Sequence, residues 1–377
     1  MSTGAINTAG LRCSRSKTAN APNFSSRPAM YIANIGSGER MEDGIYSLFQ
    51  EIFENALDEL TSGYGSQIRV QLKNNTVSIR DYGRGIPLDA LHKVLLLPFS
   101  SGKFQQGTYS CSAGLHGLGL KVVAALSERM TVRTIRNGAF REMQLSRGEA
   151  LSDKTGQCGE ADGCDISFTP DAKIFSGKST VNPYILRNLI KLYCCAIPAL
   201  SVVFNEEEFH ARHGLQDTML SLVPFDKIAV PPIPLECGKV ECLFVQCDQP
   251  ENSWISFVNG HRTVNGGVHV DAAKSALWLA SKQIMKGNTV MRPADVLCSV
   301  SGIVSARIED PQFEGQTKNR LANAGYFAGW QKKLCDSLLD YWHGNVDFCD
   351  TFFRQVDCSI ERRQKAEESA QSNGRRV

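Results

Sequence analysis

Glu51-Ile-Phe-Glu-Asn55-Ala-Leu-Asp58-Glu59, followed further on by Asp81-Tyr-Gly83-Arg84-Gly85-Ile86-Pro87, is the pair of stretches on which the reading of this chain turns. At about 100° per residue, Glu51, Asn55 and Asp58 share one narrow stripe of a helix. Phe49, Ile52, Phe53, Ala56, Leu57 and Leu60 share the opposite side. An acid, an amide and an acid turned away from the buried side make the wall of a site. An acid at a strand end, followed by a double-glycine turn, makes a floor. A carboxylate at Glu51 can take a proton from an attacking water. The Asn55 amide oxygen beside it suits a hard cation such as magnesium. Asp58 either supports these two or covers polar surface. Asp81 can accept from an exocyclic amine, and Gly83 and Gly85 let a flat ring approach the backbone. Taken singly, a solvated helix face and an ordinary tight turn remain open. Glu59 and Arg84 carry opposite charges and are read as a structural pair across helix and turn.

A third stretch, Gly114-Leu115-His116-Gly117-Leu118-Gly119, opens a helix at Leu120–Leu126. Backbone amides of a glycine loop at a helix N-terminus form an anion site, for which phosphate is the natural guest. Lys103, Ser110 and Ser112 lie just upstream. The glycine spacing fits neither a Walker A loop nor a dinucleotide fingerprint. Gly267-Val-His-Val-Asp-Ala-Ala-Lys274-Ser275 lacks the second glycine of a P-loop and is rejected as one. In this order, a base-and-cation helix, a ring-binding floor and a phosphate loop describe a nucleotide site.

The rest of the chain frames that site. Its 377 residues predict two domains. The 42% hydrophobic content supplies material for two cores, and a formal charge of +2 gives no global argument for nucleic acid. The thirteen cysteines contain no Cys-x-x-Cys pair and read as reduced core residues of a cytosolic protein. Cys237, Cys242 and Cys247 would alternate faces on strands, which makes a poor zinc cage. No apolar run approaches a membrane span. Residues 1–27 carry no acid and read as a disordered basic arm, in preference to an organellar transit peptide.

From Met30 to about Phe204 helices and strands alternate. Ile68–Leu72 and Val77–Arg80 form a hairpin turning at Lys73–Asn75. The pattern predicts an α+β sandwich of helices on a mixed sheet over 28–222. The proline-punctuated stretch 224–234 reads as a boundary, followed by a second, smaller α/β domain over 223–348. Residues 349–377 read as a C-terminal helix and tail, frayed from Glu361 onward.

The three stretches resemble the boxes of the Bergerat (GHKL) ATPase fold, and further motifs narrow the likeness. Arg27-Pro-Ala-Met-Tyr31-Ile and Ser101-Gly-Lys103-Phe104 are similar to segments of the B subunits of DNA gyrase and topoisomerase IV. Val258-Asn259-Gly-His261-Arg-Thr263-Val-Asn-Gly266-Gly267-Val-His269 resembles their transducer pattern N-x-I-x-T-x-x-G-G-x-H. Asp310-Pro-Gln-Phe313-Glu-Gly-Gln316-Thr317-Lys318 matches their transducer loop.

The resemblance implies a Bergerat ATPase domain followed by a transducer of the kind seen in domain 2 of ribosomal protein S5. It implies ATP as ligand, with Glu51 polarising water, Asn55 binding Mg2+ and Asp81 holding the adenine amine. Asp58, Gly83, Gly85, Ile86 and Cys164 belong to the same pocket. Lys103, Tyr109 and the Gly114–Gly119 amides form a lid over the phosphates, and Gln316 and Lys318 reach the γ-phosphate, with Glu51 and Lys318 as the catalytic pair. Further implications are a homodimer closing on ATP around double-stranded DNA and a cytoplasmic, nucleoid-associated location. The sequence departs from the family in length, which is read as a split subunit or an isolated N-terminal part, with a TOPRIM or cleavage subunit as partner and no DNA cleavage by this chain alone. Cys164 stands where the family usually has Thr, and a thiol is the weaker hydrogen-bond partner. A non-hydrolysing regulatory or decoy module is the second reading, and a MutL-like repair ATPase the third.

Overall fold

The computed structural model describes residues 24–32, 34–97, 117–175, 180–197, 200–247, 253–286, 290–315 and 317–374. In chain order it begins with α1 (Ala29–Ile32), α2 (Gly44–Thr61), β1 (Gln67–Lys73), β2 (Thr76–Asp81), α3 (Leu91–Leu96) and α4 (Gly119–Leu126). Next come β3 (Ser127–Arg136), β4 (Ala139–Ser146), β5 (Glu149–Gln157), β6 (Gly163–Pro170), α5 (Pro183–Ala196), β7 (Ser201–Phe204) and β8 (Glu207–His210). The remainder is α6 (Leu215–Leu222), β9 (Ile228–Cys237), β10 (Val240–Cys247), β11 (Trp254–Val258), β12 (His261–Arg262), α7 (Val268–Ile284), α8 (Pro293–Leu297), β13 (Val300–Ala306), α9 (Ala324–Gly344) and α10 (Val346–Gly374).

The first sheet has eight strands in the order β5-β4-β3-β6-β2-β1-β7-β8. Its pairings are antiparallel except β1–β7. The β1–β2 hairpin turns at Asn74 and Asn75, both at positive φ (50° and 63°), the conformation that asparagine tolerates and a two-residue hairpin turn demands. On α2, Ile45, Leu48, Phe49, Ile52, Phe53, Ala56 and Leu57 are buried at the helical spacing and press the helix onto this sheet.

The second sheet runs β12-β11-β13-β10-β9. Strand β10 is buried on both faces and serves two cores by simple alternation. Cys242 and Phe244 face α7, α9 and α10, whereas Leu243, Val245 and Cys247 join the apolar cluster of the first sheet, with Leu215 and Met219 of α6. Cys242 and Cys247 thus point to opposite cores, and no group of metal-ligating side chains occurs among the described residues.

The proline-punctuated stretch at the expected boundary is regular structure: Pro231, Pro232 and Pro234 lie within β9, an edge strand of the second sheet. Proline is tolerated there because one side of an edge strand needs no amide donors. The C-terminal stretch is a 29-residue helix, α10, which starts at Val346 and whose Phe352, Phe353, Val356 and Ile360 are buried in the second core. No helix among the described residues is long and apolar enough to cross a membrane.

Candidate functional site

Helix α2 and the β2 end bring the first two stretches together. Asp81 closes β2, is 9% exposed, and accepts through Oδ1 from the Gly83 amide (2.9 Å) and the Cys164 amide (3.2 Å). Oδ2 takes no hydrogen bond among the described residues and is the oxygen left for a ligand donor. Burial pushes the Asp81 carboxyl up to about 6, against the lowering effect of the two amides and Arg80.

The glycines of the turn also serve the packing around it. A Cβ at Gly83 would fall 2.7 Å from the Glu59 side chain. Gly85 sits at φ +70°, where a Cβ would fall 2.4 Å from the Ile135 carbonyl oxygen. Their missing side chains seat the turn against α2 and β3. Glu59 fixes the same turn: it accepts from the Arg84 amide, Nε and Nη2, each at 3.0 Å.

Cys164 supports Asp81 through its backbone amide, which any residue would supply. Its thiol lies 3.8 Å from the Thr134 hydroxyl, which in turn donates to the Ile86 carbonyl (2.8 Å). Burial raises the Cys164 thiol and keeps it protonated. Thr134, fully buried beside Cys164 on β3, thus supplies a hydroxyl at the back of the floor.

Glu51 is half-buried, and its carboxylate lies against the N-terminus of α4: a Cβ at Gly119 would fall 2.0 Å from Glu51 Oε2. Asn55 donates through Nδ2 to the Glu51 backbone carbonyl one turn back on the same helix (2.6 Å), which fixes the orientation of its amide. Asp58 is buried rather than turned outward. Of the glycine loop, Gly117, at φ +60°, Leu118 and Gly119 are described. Gly114, Leu115, His116, Lys103, Tyr109 and Gln316 lie outside the described residues.

Lys318 comes from the far domain. The residue lies in the loop between β13 and α9, in the left-handed region at φ 52°. Its ammonium is buried 3.4 Å from Glu54 Oε2 and 3.9 Å from Glu51 Oε1. Burial disfavours that charge, but Glu51, Glu54 and Asp58 outweigh it and raise the ammonium above its usual range. A residue separated from α2 by the whole first domain therefore joins the wall.

Sequence reasoning missed three side chains here. Glu54, 7% exposed, accepts from Tyr193 Oη (2.8 Å), from His261 Nδ1 and from Lys318. Its signal was position: at about 60° from Glu51 on the wheel it borders the apolar stripe, where a carboxylate needs buried partners. His261 stands where the quoted transducer pattern has Ile. Lys121, on the first turn of α4, donates to the Gly117 carbonyl (2.5 Å), and burial lowers its ammonium to about 8.

An acceptor floor, a carboxylate–amide wall, a glycine turn at a helix N-terminus and a lysine from a second α/β domain define a Bergerat-type ATPase module coupled to a transducer. Comparison with known proteins agrees. The family described as "Histidine kinase-, DNA gyrase B-, and HSP90-like ATPase" matches residues 41–174, and the family "DNA gyrase B" matches residues 215–372. The topoisomerase IV B subunit of Borreliella burgdorferi is 33% identical over 316 residues, which is 83% of this chain and 52% of that protein. The DNA gyrase B subunit of Thermotoga maritima is 29% identical over 375 residues, 90% of this chain and 58% of that protein. The topoisomerase IV ATP-binding domain of Francisella tularensis superposes with a TM-score of 0.66 at 24% identity, covering 90% of this chain and 96% of that one. The ATPase region of Saccharomyces cerevisiae topoisomerase II gives 0.73 at 17% identity, covering 89% and 97%; at these identities the likeness is one of fold.

The chain belongs to the family of DNA gyrase and topoisomerase IV B subunits, and corresponds to its GHKL ATPase and transducer. It spans just over half the length of these relatives.

Proposed function

We propose that the chain binds and hydrolyses ATP and acts as the ATP-dependent, dimerising gate of a type IIA DNA topoisomerase. Two copies close on ATP around double-stranded DNA, and cleavage belongs to a TOPRIM-bearing part of the topoisomerase, whether on the same polypeptide or on a partner subunit. The working division is 28–222 for the ATPase, 223–348 for the transducer and 349–377 for the C-terminal helix and tail, and the working location is the cytoplasm.

The observation that carries this reading is the approach of Lys318, from the second domain, to Glu51 on α2. A cation on a separate domain is drawn to a terminal phosphate only while that phosphate is present, so hydrolysis frees the domain that carries it. Asp81 Oδ2 accepts from the adenine amine, with Gly83, Gly85, Ile86 and Cys164 completing the floor. The Gly117–Gly119 backbone receives phosphate, together with Gly114–His116, Lys103 and Tyr109. Glu51 orients and deprotonates the attacking water, and Asp58 supports that wall. Gln316 and Lys318 engage the γ-phosphate. The Asn55 amide fits Mg2+, which typically takes few protein oxygens and shares the rest of its shell with phosphate. When bound, the ion neutralises phosphate charge.

Replacing Glu51 by Ala is expected to abolish ATP turnover while leaving binding of a non-hydrolysable ATP analogue within about threefold, because the group lost acts only in the chemical step. Normal turnover by Glu51→Ala would remove the carboxylate from the mechanism.

A further inference from the structure

We propose that Glu54 and His261 are a positioning pair that seats the Lys318 ammonium beside Glu51 and keeps it from binding Glu51 directly. This rests on the proposed ATPase reading for its kinetic consequences, though not for the contact itself.

The geometry is specific. Lys318 Nζ lies 3.4 Å from Glu54 Oε2, within hydrogen-bond reach, and 3.9 Å from Glu51 Oε1, beyond it. The buried ammonium is therefore anchored on Glu54 and only faces Glu51. That difference matters chemically. A carboxylate that shares an oxygen closely with an ammonium is a poorer proton acceptor. A lysine held just out of hydrogen-bond reach leaves Glu51 available to a water and keeps the positive charge close to where a terminal phosphate would arrive.

Glu54 can hold this position because its other oxygen is already engaged. Oε1 accepts from Tyr193 Oη of α5 and from His261 Nδ1 of β12. A carboxylate only accepts, so Nδ1 carries the proton of that contact. Glu54 is 7% exposed, and these two donors together with the Lys318 ammonium are the partners that a carboxylate needs in a buried place. Both of the basic side chains that hold it, His261 and Lys318, come from the transducer side, whereas Glu54 and Tyr193 come from the ATPase side. The contact joins the two domains at the point where the mechanism needs them joined. His261 is peculiar to this chain relative to the quoted pattern, whose Ile at that place could not donate. Its Nε2 is buried without a hydrogen-bond partner among the described residues, so Nδ1 provides its polar attachment.

Two experiments on the whole chain test the pair. Without nucleotide, denaturant unfolding of wild type, Glu54→Gln, Lys318→Met and the double variant reads the contact itself. Each single change is expected to destabilise, and the double change by clearly less than the sum, since removing both partners leaves no charge buried alone. Additive effects would overturn the seat, whatever the chain does with ATP.

With ATP, wild-type turnover first tests the ATPase reading. Given turnover, Glu54→Gln is expected to lower kcat about tenfold with KM within about threefold, because the binding floor is untouched. His261→Ile is expected to lower kcat about threefold in wild type and to change nothing further in the Glu54→Gln background. His261→Gln, which retains a donor, is expected to recover most of the loss. A normal kcat for Glu54→Gln, or an equal effect of His261→Ile in both backgrounds, would overturn the positioning role. His261→Ile fills the site with the apolar residue of the pattern, so it keeps the test open if Glu54→Gln does not fold.

Discussion

Asp81 shows how one residue's environment sets its chemistry. Burial lifts its carboxyl from the ordinary 3.8 to about 6. The folded state therefore holds this proton more firmly than the unfolded one. The sign follows: stability attributable to Asp81 falls as pH rises from about 4 to about 6 and is level above that. A bound amine donor opposes this, because it favours the ionised acceptor. Affinity for ADP is thus expected to increase as pH rises through 6 and then level off, and Asp81→Asn is expected to flatten that profile. The same variant should weaken ADP at pH 7.5 by about 2 kcal/mol, the worth of a hydrogen bond to a charged acceptor. Titration calorimetry across pH 5 to 8 measures both, and a flat wild-type profile would exclude Asp81 as the ligand's acceptor. The identity of this residue was legible, since a strand-end acid before Gly-x-Gly is a visible pattern. The use of the glycines was not: that Gly83 makes room for Glu59 depends on a packing between α2 and the turn that spacing does not reveal.

Elements were legible where one periodicity ruled. The apolar stripe of α2 and the Asn-Asn hairpin are local patterns, and both are found as read. Strand β9 was not, because its three prolines are breakers everywhere except on an edge, and edge status is a property of the whole sheet. The regularity of α10 beyond Glu361 was not legible, because the apolar spacing of Phe352, Phe353, Val356 and Ile360 ends just before the charges that follow. The junction of α2 and α4 carries a prediction at this scale. Gly119 has an ordinary helical backbone, so Ala is tolerated there by conformation, and its Cβ would clash with the far end of a flexible side chain, Glu51. Gly119→Ala is expected to keep its fold, with a thermal midpoint near wild type, while moving the Glu51 carboxylate. A displacement of about 1 Å can cost a reaction roughly a hundredfold, so turnover should fall on that scale while ADP binding persists. Turnover kinetics beside a melting curve decide it: an active Gly119→Ala would mean that Glu51 need not lie where it does.

The whole molecule is tied together twice, once by oil and once by charge. Leu243, Val245, Cys247, Ile255, Phe257 and Ile303 of the second sheet share an apolar cluster with the first domain. Lys318 and His261 meet Glu54 across the same junction. The resemblance implied that Lys318 reaches the first domain, but its seat on Glu54, the part of His261 and the apolar tie were not readable from motif order, because each depends on which face of β10 or α2 meets the other half. The two ties respond differently to solution conditions. The apolar one is insensitive to pH. The ionic one is sensitive because Glu54 is held at about 2 in the folded chain against 4.5 in its ordinary state. Its folded value is depressed, so its stabilisation is complete above about 4.5 and is lost as pH falls from there towards 2. Wild type is therefore expected to lose stability steeply over that interval, and Glu54→Gln, less stable at neutral pH, should have the shallower acid slope. Leu243→Ala removes packing from the apolar tie and should cost about 2 to 5 kcal/mol at every pH, leaving the acid slope as in wild type. Because both cores lean on this junction, calorimetry of wild type at pH 7.5 is expected to give one unfolding transition. Two well-separated transitions, or an acid slope unchanged in Glu54→Gln, would mean that the domains are stabilised independently and that the charge at Glu54 does not link them.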